Sequence, residues 1–139
     1  MSRTVVMGIL NITPNSFADG GKYFSKEDAV SGGRRLVVEG ADIIDVGGES
    51  TRPGAERVSE EEELNRVIPV IKELVKDGAV VSVDTMRAEV AKQAIGVGAT
   101  YINDVSGGLA DEKMAKVIAS NPKVPVSYTH LRAHETLMN

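Results

Sequence analysis

The sequence predicts an α/β fold in which parallel strands alternate with helices, with about four βα units and the start of a fifth. Short apolar runs alternate with longer segments whose apolar residues recur at helical spacing, which is typical of βα units in a parallel sheet. Three of these runs begin with Gly-Ala, at residues 40, 78 and 98, and end in Asp45, Asp84 and Asn103. A glycine at that point indicates the end of a helix, because a left-handed residue without a Cβ atom avoids a steric clash.

The first unit begins at residues 4–10 (TVVMGIL), a near-continuous apolar run that predicts a strand buried on both faces. A polar, glycine-rich loop follows from Asn11. Ser25 then occupies the position of a helix N-cap, with Asp28 three residues later. Within that helix we expect Gly33 to permit a close approach to the sheet, because a helical glycine is otherwise destabilising.

The second unit has a strand at residues 41–46 and a helix that Ser59 is expected to cap. The acidic residues 60–63 at the start of this helix are interpreted as a solvated face that the helix dipole favours. We expect Pro69 to kink the helix, because proline lacks an N–H group and its ring clashes with the preceding turn.

The third and fourth units are shorter. Their predicted elements are strands at residues 79–83 and 100–102 and a helix at residues 86–97. Polar residues follow both strands, Asp84 after the first and Asn103-Asp104 after the second. Asp111 is expected to cap a short fourth helix.

The composition limits the class of protein. At 139 residues the chain has the size of one ordinary domain, and its hydrophobic share of 42% and charged share of 26% are those of a soluble globular protein. A formal net charge of −4 argues against nucleic-acid binding and against binding to an anionic membrane, both of which need a basic surface. The absence of cysteine excludes disulfides and thiolate metal sites. No membrane-spanning run or leader peptide is recognisable, so we expect a cytoplasmic location.

The carboxyl ends of parallel strands lie along one edge of a sheet, because right-handed crossovers return every strand in the same direction. Five polar residues are expected to converge there: Asn11, Asp45, Asp84, Asn103 and Asp104. The loop at residues 45–55 (DVGGESTRPGA) offers glycines, hydroxyls and a guanidinium group, so we expect it to bind an anionic substrate. Two architectures remain open, a small doubly wound domain and the first half of a (β/α)₈ barrel, which typically needs about 250 residues.

Four sequence blocks stand at the predicted strands and the loops after them. They are residues 7–21 (MGILNITPNSFADGG), 45–55 (DVGGESTRPGA), 82–85 (SVDT) and 102–108 (INDVSGG). Together and in this order they resemble the amino-terminal half of the dihydropteroate synthase family, over residues 4–126, and the sequence between them is most similar to actinobacterial members. The resemblance implies that the chain is the amino-terminal part of a (β/α)₈ TIM barrel.

The resemblance also implies an activity. The family is a group of transferases of folate biosynthesis that condense 6-hydroxymethyl-7,8-dihydropterin diphosphate with 4-aminobenzoate, giving dihydropteroate and diphosphate. By position in the blocks, the resemblance implies that Asp84 and Asn103 bind the pterin and that Thr51 and Arg52 bind the diphosphate and 4-aminobenzoate. It implies that Asn11 is the Mg²⁺ ligand. The first mobile loop would contain the substrate-binding residues Pro14 and Phe17 together with Asp19. Arg52 and Asp19 are the expected catalytic residues. Mg²⁺ is the implied cofactor, and the implied assembly is a homodimer whose interface this chain lacks.

These residue types suit that chemistry. A carboxylate such as Asp84 accepts hydrogen bonds from two adjacent N–H groups of a pterin edge, and the amide of Asn103 both donates and accepts. Mg²⁺ at Asn11 and the guanidinium group of Arg52 would stabilise the departing diphosphate. The attacking amine comes from 4-aminobenzoate, so the reaction needs no enzyme nucleophile.

Several alternatives remain open at this stage. Asp84 would serve equally well as the N-cap of the next helix, and Asp45 is interpreted as orienting the neighbouring loop backbone rather than touching substrate. The chain is alternatively a non-catalytic pterin-binding module or a pterin-dependent methyltransferase. The second block favours the synthase, because methyl transfer offers no diphosphate for Thr51 and Arg52 to bind.

The sequence departs from the family's pattern at two places. Asn15 stands where the family usually has aspartate, which removes one negative charge from the first loop. Residues 127–139 resemble translated sequencing-adapter sequence, so we interpret the domain as residues 1–126 followed by a non-native tail. His130 and His134 in that tail have helical spacing but lack an acidic partner network, so they are not predicted to bind metal. Because the family's later strands supply further site residues, we predict that the 139-residue chain alone lacks synthase activity.

Overall fold

The structure is a computed structural model that describes residues 4–13, 25–50, 54 and 57–127. Strands and helices alternate in the order β1 (Met7–Asn11), α1 (Lys26–Val38), β2 (Ile43–Gly47), α2 (Glu60–Lys76), β3 (Val81–Asp84), α3 (Ala88–Gly96), β4 (Tyr101–Asn103), α4 (Met114–Ser120) and β5 (Val126–Ser127). The predicted alternation is therefore confirmed. The first four strands each end one residue later than predicted, so that Asn11, Asp84 and Asn103 are the last residues of their strands.

All five strands are parallel and lie in their order along the chain, β1-β2-β3-β4-β5. Consecutive helices pack against each other, α1 on α2, α2 on α3 and α3 on α4, which places them together on one side of the sheet. A doubly wound sheet would reverse its strand order and have helices on both faces. The doubly wound alternative is therefore wrong, and the fold is an arc of an α/β barrel wound in one direction.

The two faces of the sheet differ in chemistry. The face that packs on the helices is apolar and fully buried at Ile44, Val46, Val81, Val83 and Ile102. Successive strand residues point to opposite faces, and the residues between these are polar or exposed.

The first strand shows the same alternation. Met7 is 43% exposed and Ile9 is 63% exposed, whereas Gly8 and Leu10 face the helices. The prediction that this strand is buried on both faces is wrong, because only one of its faces has helices to pack against.

Three helices end in the same way. Gly40, Gly78 and Gly98 have positive φ angles of 109°, 92° and 112°. Each glycine N–H donates to the carbonyl three residues earlier, and the following alanine N–H donates to the carbonyl five residues earlier. This is the Schellman motif, in which a left-handed residue satisfies the last carbonyls of a helix. The predicted role of the Gly-Ala repeat is confirmed.

The helix starts follow the prediction in two of three cases. Ser25 Oγ accepts from the Asp28 N–H (3.2 Å), and Ser59 Oγ accepts from the Glu62 N–H (3.1 Å). The prediction that Asp111 caps α4 is wrong, since that helix begins at Met114, after Lys113.

The Asp111 carboxylate instead connects two helix starts. It accepts from the Lys113 N–H (2.9 Å) and from the Ala88 N–H (2.7 Å). Ala88 is the first residue of α3, so Asp111 supplies the acceptor at that helix start. Asp84 does not do so, and the N-cap alternative for Asp84 is wrong.

Helix α1 approaches its neighbour closely at Gly33. A Cβ atom at this position would lie 2.9 Å from both methyl groups of Leu74 in α2 and 3.4 Å from Leu10 in the sheet. The predicted close approach is therefore confirmed, but its tightest contact is with α2. That helix runs unbroken through Pro69. None of the helices in the described part of the chain has both the length and the apolar character needed to cross a membrane.

Candidate functional site

Three of the predicted site residues lie in one row across the sheet. Asn11 pairs with Gly47, Gly47 with Asp84, and Asp84 with Asn103. Neighbouring strands are about 4.8 Å apart, so the row from Asn11 to Asn103 spans roughly 14 Å. This row lies at the carboxyl ends of the strands, where ligands bind in α/β proteins. The structure thus brings Asn11, Asp84 and Asn103 together as the sequence predicted.

Gly47 makes room within this row for the Asp84 side chain. A Cβ atom on Gly47 would lie 3.2 Å from Asp84 Oδ2 and 3.3 Å from Asp84 Cβ. Such contacts are tighter than side chains normally adopt, so the carboxylate lies directly over the glycine. The absence of a side chain at position 47 therefore leaves the space that the Asp84 carboxylate occupies.

A second carboxylate, Asp45, lies one level below the row. It is 3% exposed, and its Oδ2 accepts from Asn103 Nδ2 at 3.0 Å. Burial raises the pKa of Asp45, and the hydrogen bond from the Asn103 amide partly opposes that rise. The interpretation that Asp45 orients the loop backbone is wrong, because its hydrogen bond holds the amide of Asn103.

Two buried polar atoms beside that bond lack a hydrogen-bond partner among the described residues, Asp45 Oδ1 and Ser82 Oγ. Asp45 and Ser82 are register partners on adjacent strands. An unsatisfied buried polar group costs about 1–3 kcal/mol. Such groups are tolerated at binding sites, where a ligand or a water satisfies them.

The electrostatics of the row are dominated by Asp84, whose pKa is raised to about 7. Burial is the largest cause, followed by the negative charges of Asp45, Glu63 and Asp104. A carboxylate in such surroundings gains more than a solvated one from ligand N–H donors, because they replace the water that it has lost. Strong perturbation of this kind is typical of functional groups.

Asp104 has a structural task. It is fully buried, and its carboxylate accepts from the Ser106 N–H (2.8 Å), the Ser106 hydroxyl (2.6 Å) and the Gly108 N–H (3.1 Å). Gly107 and Gly108 both have positive φ angles. Asp104 therefore orders the loop that follows Asn103 and is not itself placed to accept from a ligand.

Sequence reasoning missed one buried acid, Glu63. The interpretation of residues 60–63 as a solvated face is wrong at this position, since Glu63 is 2% exposed. Its Oε2 accepts from the Thr85 hydroxyl (2.7 Å) and its Oε1 from Arg87 Nη1 (2.6 Å). A signal was present, because Glu63 stands four and seven residues before Val67 and Val70, on the buried stripe of α2.

A small pocket of about 220 Å³ opens at the Asn11 end of the row, and it is lined by Asn11, Ile12, Thr13, Gly47, Glu49 and Ser50. Four of its lining residues, Asn11, Thr13, Glu49 and Ser50, have side-chain oxygens, the donor type that Mg²⁺ prefers. No group of three or more His, Asp or Glu side chains within the described ranges could hold a metal ion. The side-chain oxygens of this lining suit an ion such as Mg²⁺, which takes few protein ligands and completes its shell with water and phosphate.

A larger cleft of about 760 Å³ lies on the helical side of the sheet, between α3 and α4. Its lining mixes acidic and basic side chains, among them Glu89, Lys92 and Lys116. It contains none of the predicted site residues. We assign the site to the strand ends because the converging polar groups and the perturbed carboxylate lie there.

Five predicted site residues lie outside the described residues: Pro14, Phe17, Asp19, Thr51 and Arg52. Asn15, His130 and His134 lie there as well. Their roles stay predictions. The described ends of their loops, Thr13 and Ser50, both line the pocket beside Asn11, so both loops leave the sheet next to the row.

Comparison with known proteins identifies similar chains. The family model described as "Pterin binding enzyme" matches residues 7–139. The dihydropteroate synthase of Bacillus subtilis (strain 168) is 53% identical over 131 residues, which cover 94% of this chain and 46% of that protein. The dihydropteroate synthase of Mycobacterium leprae (strain TN) is 56% identical over 114 residues, covering 82% of this chain and 40% of that protein.

Solved structures give the same result. The dihydropteroate synthase of Xanthomonas albilineans with 4-aminobenzoic acid superposes with a TM-score of 0.80 at 50% identity, covering 89% of this chain and 46% of that one. The same enzyme in complex with 7,8-dihydropteroate gives a TM-score of 0.75 at 46% identity, covering 89% and 44%. This chain spans less than half the length of these relatives.

Proposed function

This chain belongs to the pterin-binding enzyme family, and from that premise we propose that it forms the amino-terminal half of a dihydropteroate synthase. The proposed reaction condenses 6-hydroxymethyl-7,8-dihydropterin diphosphate with 4-aminobenzoate and releases diphosphate. The relatives with that name match the chain at 53% and 56% identity, and solved relatives hold 4-aminobenzoic acid and 7,8-dihydropteroate.

The observation that best supports this function is the row of Asn11, Asp84 and Asn103 at the strand ends. In the proposed complex, the Asp84 carboxylate accepts from two adjacent N–H groups of the pterin edge, which suits a flat ligand with several donors. Asn103 is held by Asp45, so its amide meets the pterin in a defined orientation. The roughly 14 Å of the row accommodates a pterin ring at one end and a diphosphate at the other.

The diphosphate is proposed to lie at the Asn11 end, between the loops that leave β1 and β2. Thr51 and Arg52 follow Ser50, which lines the pocket there. Mg²⁺, bound by Asn11 in this oxygen-lined pocket, would supply positive charge next to the leaving diphosphate. Arg52 would offer a bidentate guanidinium group to the same oxygens.

The chain's own residues act in this proposal by binding and orientation. The amine of 4-aminobenzoate forms the new C–N bond at the pterin methylene carbon while the C–O bond to diphosphate breaks, and the amine proton passes to solvent. Asp84 and Asn103 hold the pterin ring so that its methylene faces the diphosphate pocket. Asp19, Phe17 and Pro14 are proposed to close over the site on the first loop, because water exclusion strengthens the electrostatic contacts.

Location and assembly complete the proposal. We place the protein in the cytoplasm and expect its complete form to be a homodimer. Nothing in the 139-residue chain is assigned to the dimer interface, so we expect this chain to sediment as a monomer. Its proposed ligands are small-molecule substrates and Mg²⁺, and we propose no nucleic-acid or membrane partner, in keeping with its net charge of −4.

Calorimetric titration tests the proposed function. The chain is titrated with pterin diphosphate and with 6-hydroxymethylpterin, each with and without Mg²⁺. We expect tighter binding of the diphosphate form, dependent on Mg²⁺, and a loss of affinity of about tenfold or more for Asp84→Asn, which removes a charged acceptor. Asp77→Asn is the matched control, since Asp77 pairs with Arg34 between α1 and α2.

Each alternative has its own signature in the same titration. A non-catalytic pterin-binding module would bind both pterins equally and without Mg²⁺. A pterin-dependent methyltransferase would prefer a methylated pterin to the diphosphate. If the folded chain bound no pterin, the proposal that this site binds a pterin would be wrong.

A further inference from the structure

A buried charged cluster lies at the two described ends of the loop between β2 and α2, Glu49 and Val58. We call Glu49, Glu63, Thr85 and Arg87 the loop-anchoring cluster. Arg87 Nη1 donates to Glu63 Oε1 at 2.6 Å, and Glu63 Oε2 accepts from the Thr85 hydroxyl at 2.7 Å. The side chains of Glu63 and Glu49 are 2% and 7% exposed, and that of Arg87 is 20% exposed. A charge cluster this deeply buried requires every partner, because removing one leaves an uncompensated charge.

The cluster holds both ends of the loop. Arg87 Nη2 donates to the carbonyl of Val58 and lies 3.6 Å from Glu49 Oε2. The same Glu49 oxygen accepts from the Val58 N–H at 2.7 Å. Glu49 and Val58 are nine residues apart, and residues 50–57 lie between them. One guanidinium group thus contacts the first and the last residue of the segment that contains Thr51 and Arg52.

Other contacts fix the start of the loop from below. Arg66 Nη1 donates to the Gly48 carbonyl at 3.0 Å. A Cβ atom on Gly48 would lie 2.9 Å from Val67. Both Arg66 and Val67 belong to α2. Gly48 therefore lies directly on this helix, and Arg87 contacts the residue at the far end of the loop, Val58.

The cluster also reaches the pterin row. Thr85 follows Asp84 immediately, its N–H donates to the Asn103 carbonyl (3.1 Å), and its hydroxyl accepts from the Arg87 N–H (3.1 Å). Thr85 therefore links the row to Arg87, because its N–H bonds to Asn103 and its hydroxyl bonds to the Arg87 N–H.

We propose that Arg87 and Glu63 are positioning residues that hold Glu49 and Val58, the two ends of the loop between β2 and α2, in the geometry that diphosphate binding requires. This inference rests on the proposed function for the identity of the ligand. It assigns to Arg87 and Glu63 neither a direct contact with substrate nor a role in holding the global fold. Arginine suits the task because its planar fork donates in several fixed directions at once, which a lysine ammonium group does not reproduce.

The test compares Arg87→Lys and Glu63→Gln with a matched control in the 139-residue chain. The control is Arg34→Lys, since Arg34 also makes a two-bond contact with a carboxylate, Asp77, but lies between α1 and α2 away from the loop. Amide hydrogen exchange is measured for Val58 and for the core strands β2 and β3. Affinities are measured for pterin diphosphate and for 6-hydroxymethylpterin.

We expect Arg87→Lys to speed exchange about tenfold or more at Val58, whose N–H donates to Glu49, while β2 and β3 stay protected, because local opening has its own free energy. The affinity for pterin diphosphate should fall about tenfold, and that for 6-hydroxymethylpterin should change less than about twofold. Glu63→Gln should change both measurements in the same direction. Arg34→Lys should change neither.

Three results would overturn the inference. The first is unchanged exchange at Val58 in both variants, and the second is an equal loss of affinity for both pterins. The third is loss of protection throughout β2 and β3 in both variants, since the cluster would then hold the fold and not the loop. If the unmodified chain binds neither pterin, the proposed function fails, whereas the exchange data still decide whether the cluster holds the loop.

Discussion

At the residue scale, Asp84 makes the site sensitive to pH. Burial and the charges of Asp45, Glu63 and Asp104 raise its pKa to about 7, so the carboxylate is half protonated near neutrality. A ligand that donates N–H groups binds the ionised form. We expect pterin affinity to fall by up to about tenfold per pH unit below pH 7 and to be level above it.

Calorimetry between pH 5.5 and 8.5 checks this pH dependence. Asp84→Asn should bind weakly with a flat pH profile, because its side chain does not titrate. A wild-type profile that is also flat across this range would contradict the assignment of Asp84 as the pterin acceptor.

The same pKa shift predicts an unusual stability profile. The folded-state pKa of Asp84 is raised from 3.8 to about 7, so the folded state binds the proton more tightly than the unfolded state. Its contribution to stability is present below about pH 4 and is lost as pH rises through 7. Asp84→Asn should therefore be more stable than the wild type above pH 7, by on the order of 2 kcal/mol, and equally stable near pH 4. Urea unfolding at both pH values measures the difference.

Asp111 is expected to change stability with pH in the opposite direction to Asp84. Hydrogen bonds from the backbone N–H groups of Ala88 and Lys113 lower its pKa. The contribution of Asp111 to the free energy of unfolding is therefore present above its unfolded-state pKa and is lost as pH falls through its folded-state pKa. Asp111→Asn should reduce the free energy of unfolding at pH 7, and this effect should shrink as pH falls through the lowered pKa of Asp111. If Asp84→Asn and Asp111→Asn changed the free energy of unfolding at pH 7 in the same direction, the opposite pKa shifts of these two carboxyl groups would be contradicted.

At the element scale, the sequence predicted what depends on local interactions. The Schellman ends at Gly40, Gly78 and Gly98 involve residues within five positions of each other, so the Gly-Ala pattern was sufficient. The Ser25 and Ser59 caps are equally local.

Non-local partners account for the errors. Glu63 is buried because Arg87, 24 residues later, pairs with it, and Asp111 serves a helix start 23 residues earlier. An isolated acidic helix start gives no sign of either partner.

The row at the strand ends depends on Gly47 for its geometry. Gly47→Ala would place a methyl group about 3.2 Å from Asp84 Oδ2, and the carboxylate would have to move. We expect pterin affinity to fall about tenfold, since charge-assisted hydrogen bonds depend strongly on geometry. Gly96→Ala is the control, because a Cβ atom there meets nothing within 4 Å. Unchanged binding by Gly47→Ala would show that the ligand does not rely on this position of Asp84.

At the scale of the whole molecule, strand order was the property that the sequence left open. The spacing of βα units is compatible with a doubly wound sheet and with a barrel, because both use the same right-handed crossover. Only the order β1-β2-β3-β4-β5, with the helices side by side, distinguishes them. The resemblance to a barrel family indicated this outcome correctly, although hydrophobic periodicity did not.

The exposed face of this arc leads to the last prediction. Each of the outer strands β1 and β5 has a single neighbour within the described sheet, and Met7 and Ile9 are exposed on the face opposite the helices. In a closed barrel that face is packed by side chains from all strands. We therefore expect the 139-residue chain alone to unfold at low denaturant concentration and to give no dihydropteroate. Fusing residues 4–126 to the remaining carboxyl-terminal part of the Bacillus subtilis relative should restore turnover, because that part supplies the missing strands. The chain alone and the fusion are assayed side by side for dihydropteroate formation, with Asp84→Asn in the fusion as a control of reduced activity. Turnover by the chain alone at the level of the fusion would show that the arc is sufficient for catalysis.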